Sequence, residues 1–402
     1  MNRVAVTGMG LVCALGNTVS ECWGRLAAGE SCIGRLTQSG NPPYKFQNGA
    51  EAWSFEPSDH FSEKDLMMLE RFAQFAVVAA REAVAQSGLV FRGDLADNSA
   101  VITGSSVGGQ FSEEEGYQRL YKEGNPRVAP LTIPRTMANA GASRISLEFG
   151  IHGPAYTVAT ACSSSNHALG QAFWMVRGGQ VTAAVAGGSE AVFAEGLLRA
   201  WEAMRVVSAD VCRPFSADRK GLTLGEGGAM LVLESWDHAK ARGAEILGEV
   251  VGFGMSSDAF HMTQPCVDGP AKAMQWALQD ASIKAEQVDY INAHGTGTVA
   301  NDITESDAIR RVFPSKADLP LVSSTKSMHG HTLGAAGAIE AIATLLALKH
   351  GLVPPTANFT SADPRCALDV VPNRARPAQV EIAMSNTFAF GGLNATLVMK
   401  HA

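Results

Sequence analysis

The chain lacks a CxxC pair, any run of basic residues and any stretch of linker composition. Each absence excludes something. Seven cysteines, an odd and scattered set, carry no zinc spacing and read as reduced thiols of a cytoplasmic protein. A formal net charge of −7 argues against a nucleic-acid partner, which favours a basic face. The start, "MNRVAVTGMG", lacks the apolar stretch of a signal peptide, and the apolar stretches elsewhere read as too short for a membrane span. "GMGLVCALG" (8–16) lacks the third glycine of a dinucleotide fingerprint and reads as a tight strand exit. "LGEGGAML" (224–231) lacks the Lys-Ser/Thr of a phosphate-binding loop.

What is present is an ordinary globular balance over 402 residues, 46% hydrophobic and 18% charged, enough for a large core. "RVAVTG" (3–8) reads as a buried strand, and "SECWGRLAAG" (20–29) as a short helix with Ser20 at its N-cap. Residues 31–60 are irregular. Residues 62–88 read as one amphipathic helix, with Leu69, Phe72, Phe75 and Ala76 at helical spacing and Gly88 as its stop. Apolar strands are expected in 99–109, 155–161, 181–191, 289–297 and 321–331, each followed by helical or loop sequence. That alternation indicates an α/β protein with sheets buried on both faces. The rhythm occurs twice, giving two similar fused halves, 1–250 and 251–402.

Four stretches place chemistry at strand ends, where α/β sites form. "TACSSSNHA" (160–168) sets Cys162 between an apolar run and a helical one. A helix N-terminus favours a thiolate there, whereas the bland reading is a small buried residue. "NAHGTGT" (292–298) stops a strand at His294 and adds small hydroxyls and glycines. "SSTKSMHGHTLGAAG" (323–337) offers Lys326, His329 and His331 before a long helix. A His-x-His metal pair is the competing reading, but no carboxylate or cysteine lies close in sequence, so no metal is expected. "FAFGGLN" (388–394) is a glycine turn flanked by aromatics, a hairpin when taken alone.

In this order, and with "CRPFSADRKGLTLGEGGAMLVLE" and "DAFHMTQP" between them, these stretches resemble the Cys–His–His β-ketoacyl-acyl carrier protein synthases of the elongating type. The similarity runs from the first strand to the last. It implies a thiolase-like fold, with two duplicated βαβαβαββ halves in a five-layered α-β-α-β-α sandwich. It implies acyl transfer to Cys162, then decarboxylation of a malonyl thioester and condensation to a 3-oxoacyl product. His294 and His331 would be neutral donors to the enolate, and Lys326 an electrostatic support. The backbone N–H groups of Cys162 and Phe390 would form the oxyanion hole. Thr296 and Thr298 would bind the phosphopantetheine arm, and Thr263 and Gly391 would also touch substrate. Val107, Leu197, Trp201 and Phe390 would shape the acyl pocket, and Glu340 and Asp302 would support the site. His329 matches no family role.

No prosthetic group is implied, because the substrates ride on the phosphopantetheine of an acyl carrier protein. The partners implied are that carrier and a second subunit, either identical or a chain-length-factor-like homologue. Ala389 and Leu393 stand where many relatives have Gly and Thr, and the altered hinge resembles the nodulation-type and polyene-type synthases. Lys64 and Arg71 are the bases of a stretch that meets the acidic carrier in relatives, with Arg205 elsewhere. Met67 and Met68 between them imply an adaptable apolar contact with a dedicated carrier. A non-catalytic chain-length factor is the alternative, but such partners usually lack the Cys. A thiolase would need a second cysteine near the C-terminus, and an initiating synthase would have Asn in place of His331.

Overall fold

The computed structural model describes residues 1–315 and 319–402. Its eleven-stranded sheet is two sheets joined at a short seam. The first contains β1 (Val4–Cys13), β2 (Ser99–Gly104), β3 (Ala155–Val158), β4 (Ala183–Glu190) and β5 (Gly227–Ser235), in the order β1-β5-β4-β2-β3. The second contains β6 (Gly248–Ser257), β7 (Tyr290–Asn292), β8 (Leu321–Ser323), β9 (Asp369–Val370), β10 (Ile382–Ala389) and β11 (Leu393–Lys400), in the order β6-β11-β10-β7-β8-β9. The seam is the antiparallel pairing of Val4, Ala5 and Val6 with Val250, Glu249 and Gly248. Outward from it, each sheet makes two antiparallel pairings and then parallel ones. The same arrangement therefore occurs twice.

Two helices fill the space between the sheets. α4 (Ser164–Arg177) packs on β4 and β2, and α8 (Ala336–His350) packs on β10 and β5. In this list α1 is Val19–Ala28, α2 Glu63–Met68, α3 Arg71–Ser87, α5 Glu195–Met204, α6 Asp268–Ala281 and α7 Val299–Val312. α3 covers the outer face of the first sheet. α6 covers β6 and β11, with α7 beside it. The layers run α-β-α-β-α, which is the thiolase-like fold. Residues Ala336 to Leu348 of α8 are all buried, as a central layer requires.

Several expectations change. The stretch 62–88 is not one helix. α2 ends at Met68, Leu69 is extended, and the Glu70 side chain caps α3 by accepting the Phe72 N–H at 3.1 Å. The same buried carboxylate accepts the Phe111 N–H at 3.0 Å, so a long-range contact fixes the break. The N-cap of α1 is Thr18, whose hydroxyl accepts the Glu21 N–H at 3.3 Å, and not Ser20. "GMG" is not a strand exit, because β1 continues through it to Cys13. A Cβ at Gly8 would lie 2.0 Å from the Ala83 carbonyl oxygen, and one at Gly10 1.9 Å from that of Ala79. These glycines let α3 lie directly on the strand. Finally, Leu333–His350 reaches 18 residues at a mean hydropathy of 1.3, long enough for a span by composition, but 89% of it is buried between the sheets.

Candidate active site

Cys162 sits on an elbow between β3 and α4. Ala161 before it holds a left-handed φ of 50°, strained for a residue with a Cβ. Hydroxyls pin the turn. Ser164 Oγ accepts the Thr160 N–H at 2.9 Å and donates to the Ala161 carbonyl at 2.6 Å, and Ser106 Oγ donates to that carbonyl at 2.9 Å. α4 begins two residues after the cysteine.

His331 arrives from the other half. After β8 the chain makes a short helical turn, Lys326–His329, and Gly330 reverses it at a φ of 69°. The His331 N–H donates to the Thr223 carbonyl at 2.6 Å. Its ring then places Nε2 3.1 Å from the Cys162 sulfur. His294 follows β7. Its N–H and that of Gly295 donate to the Glu305 carboxylate at 2.8 and 2.7 Å. The two imidazoles meet edge to face with ring centroids 5.4 Å apart. His329 turns away, its Nε2 3.0 Å from Thr325 Oγ1, so it does not join His331 as a ligand pair.

Burial dominates the electrostatics. It pushes the Cys162 thiol up to about 12, against the downward pull of Lys326 and of the Cys162 and Phe390 N–H groups. The thiolate expected at a helix N-terminus is therefore not the resting state; desolvation outweighs the dipole. Burial, Lys326 and His331 hold the His294 imidazole well below its usual range. Burial, Lys326 and His329 do the same for His331. Both rings are neutral at physiological pH.

Lys326 does not reach the cleft. It is fully buried and paired with the equally buried Glu340, whose pKa burial raises to about 7. Its charge nonetheless acts on all three site groups. Asp302 accepts the Phe215 and Gly297 N–H groups at 2.8 and 3.2 Å and lies 3.3 Å from Arg219, which fixes the Gly-Thr-Gly turn.

Cys162, His294, His331, Thr263, Thr296, Thr298, Trp201, Phe390 and Gly391 line one cleft that opens to solvent. Trp201 and Phe390 stack across it, ring centroids 6.2 Å apart and planes 25° apart. Two expected pocket residues are elsewhere. Val107 is not a lining residue, and its N–H donates to Glu190 at 3.3 Å. Leu197 packs in the apolar cluster behind Trp201 and Phe390 rather than on the cleft. Met67 and Met68 are exposed, 59% and 41%, but Arg71 is committed to Glu226 at 2.6 Å and is no docking base.

Two acids that organise the site escaped the sequence reading. Glu305, three residues beyond Asp302 on α7, holds the backbone of His294. Glu190, at the end of β4, accepts the Ser106 N–H at 2.6 Å and the Gly334 N–H at 3.1 Å, tying the loop after β2 to the segment after His331. Both point back at loop N–H groups. The only trace in the sequence is an acid where an apolar residue is expected.

The β-ketoacyl synthase N-terminal domain family matches residues 1–239, and the β-ketoacyl synthase C-terminal domain family residues 247–360. The chain belongs to the β-ketoacyl synthases and is thus a condensing acyltransferase. It is similar to Nodulation protein E of Rhizobium meliloti (strain 1021), 46% identical over 398 residues and 99% of each chain. It is also similar to 3-oxoacyl-[acyl-carrier-protein] synthase 2 of Staphylococcus aureus (strain N315), 39% identical over 405 residues, covering 99% of this chain and 98% of that one. Among solved structures, the ishigamide ketosynthase/chain length factor superposes with a TM-score of 0.95 at 39% identity, over 100% of this chain and 99% of that chain. The expected likeness to elongating and nodulation-type synthases is borne out.

Proposed function

We propose that this chain lengthens a carrier-bound acyl group by two carbons, with Cys162, His294 and His331 as the reacting side chains. The observation that carries this is the 3.1 Å approach of His331 Nε2 to the Cys162 sulfur beside a second neutral imidazole, on one cleft.

In the first half-reaction the Cys162 sulfur attacks the acyl thioester carbon. The new S–C bond replaces the bond to the carrier thiol, and the Cys162 proton passes by way of His331 to that departing thiolate. The charge on the acyl oxygen falls between the Cys162 and Phe390 N–H groups, which already face the sulfur. A donor of this kind lowers the barrier by about 3 kcal/mol. In the second half-reaction a malonyl thioester enters. Loss of CO₂ leaves an enolate whose oxygen accepts N–H bonds from His294 and His331. Neutral rings suit this step, because a neutral imidazole donates an N–H bond to the oxygen without giving up its proton and quenching the enolate. The enolate carbon then attacks the acyl-Cys162 carbon, the C–S bond to Cys162 breaks, and the released thiolate takes a proton from water.

Thr296 and Thr298, whose hydroxyls lie 2.9 Å apart, hold the phosphopantetheine arm, with Thr263 and Gly391 alongside. Trp201 and Phe390 wall the acyl chain. Residues 1–250 supply the nucleophile, and residues 251–402 supply the two imidazoles and the gate turn. The carrier is an acyl carrier protein, and the second subunit is an identical chain or a chain-length-factor-like one. The protein acts in the cytoplasm, without a prosthetic group. A purely structural partner role is disfavoured by the complete Cys–His–His set. Incubation with acyl-carrier followed by intact-mass analysis tests the reading. One acyl adduct on Cys162 is expected, and its absence would overturn it.

A further inference from the structure

Helix α5 carries Trp201, yet it buries only Leu198 and Trp201 along its ten residues. Its position depends on fastenings from outside. At its N-terminus the Gly196 N–H donates to Glu114 at 3.1 Å. On its outer face lies a strap, residues 40–46. There the Arg199 guanidinium donates to the Pro42 carbonyl and sits over the Tyr44 ring, 4.2 Å from its centroid. The Lys45 N–H donates to Glu202 at 2.5 Å, and Glu202 also pairs with Arg199 at 3.2 Å. Tyr44 packs in the apolar cluster that contains Trp201 and Cys162, and its hydroxyl has no hydrogen-bond partner among the described residues. Gly40 holds a φ of 69°, and a Cβ there would lie 2.8 Å from both Arg199 Nη2 and Tyr44 Cζ. The strap closes over α5 only with glycine at that point.

We propose that the 40–46 strap sets the acyl-chain length the enzyme accepts, by fixing α5 and so how far the Trp201 ring can swing from Phe390. Tyr44, Arg199 and Glu202 are positioning residues in this account, since none lines the cleft. The inference rests on the function proposed above. Loosening the strap frees Trp201 to move, so longer acyl chains reach Cys162. Loading of the shortest chain, which needs no such movement, stays as it was.

The test compares kcat/KM for a graded set of acyl-carriers, from shortest to longest, in the parent, Glu202→Ala and Arg199→Ala. The long-to-short ratio is expected to rise roughly three- to tenfold, the scale of one lost cation–π or charge-assisted contact. Glu202→Gln keeps an acceptor for the Lys45 N–H and is expected between parent and Glu202→Ala. Tyr44→Phe keeps the ring under Arg199 and is expected to match the parent, whereas Tyr44→Leu is expected to shift the ratio. If the first two variants do not fold, this Tyr44 pair decides. An unchanged ratio in the folded variants, with short-chain loading intact, overturns the strap's role and leaves the function standing. A parent that forms no Cys162 adduct with any acyl-carrier overturns both.

Discussion

Lys326 and Glu340 form an ion pair with no exposed surface, and neither lines the cleft onto which His294 and His331 open. Burial raises the Cys162 pKa and lowers those of His294 and His331, and the Lys326 charge pulls downward on all three. Removing the charge of one partner leaves the other buried without water or counterion. Lys326→Met is expected to destabilise the fold by about 3–5 kcal/mol, and the double change with Glu340→Gln to recover most of it. Urea unfolding midpoints check this. A single variant as stable as the parent would contradict it.

Burial first, and the Lys326 charge second, set the pH response of the two imidazoles. The imidazoles titrate well below 6.5, so they stay neutral as pH falls through that value. Release of CO₂ from malonyl-carrier is expected to be flat between about pH 6 and 8, with its acid loss lower. In a folded Lys326→Met/Glu340→Gln variant the acid limb moves up in pH, because a repelling cation has gone. A parental acid midpoint near 6.5 would contradict the account.

The thiol should titrate in the opposite sense. With the pKa of Cys162 pushed to about 12, its thiolate fraction grows roughly tenfold per pH unit across the neutral range. Alkylation of Cys162 by iodoacetamide, followed by peptide mass, is expected to accelerate steadily from about pH 6 to 9. A plateau below about pH 7 would instead indicate a resting thiolate–imidazolium pair.

Glu305 accepts the N–H groups of His294 and Gly295 and is almost fully buried. Glu305→Ala leaves both donors without a partner, each costing about 1–3 kcal/mol, and Glu305→Gln retains one acceptor. The imidazole of His294 loses its fixed position while Cys162 is untouched. Decarboxylation is therefore expected to fall much more than acyl loading, with Glu305→Gln intermediate. Equal losses in the two steps would show general damage to the fold.

The candidate site residues stand on short-range signals, and the resemblance carried by those stretches in order singled them out. Cys162 stands at a strand–helix junction, His294 at a strand end, and Lys326 and His331 before an apolar helix. The duplicated rhythm of strands and helices was equally local. What escaped is set by residues far apart in sequence. The direction of the Cys162 shift depends on its burial in an apolar cluster that also holds Val192, Leu224 and Leu333, which no window around 162 contains. The break at Leu69 depends on Glu70 meeting Phe111. Arg71 is no docking base because Glu226, on another segment, neutralises it. Gly8 and Gly10 read as a turn because their partner, the backbone of α3, is some seventy residues away.

The central claim is a division of labour: Cys162 carries the acyl group, and His294 and His331 release CO₂ and stabilise what is left. It is tested by isolating acylated enzyme, adding malonyl-carrier labelled in its free carboxyl, and following labelled CO₂ together with the mass of Cys162. The parent is expected to lose the acyl adduct as CO₂ and 3-oxoacyl-carrier appear in equal amounts. A His294→Ala variant is expected to take up the acyl group yet release no CO₂ and keep the adduct. Release of CO₂ at the parental rate from that variant, or turnover in Cys162→Ala, would contradict the account.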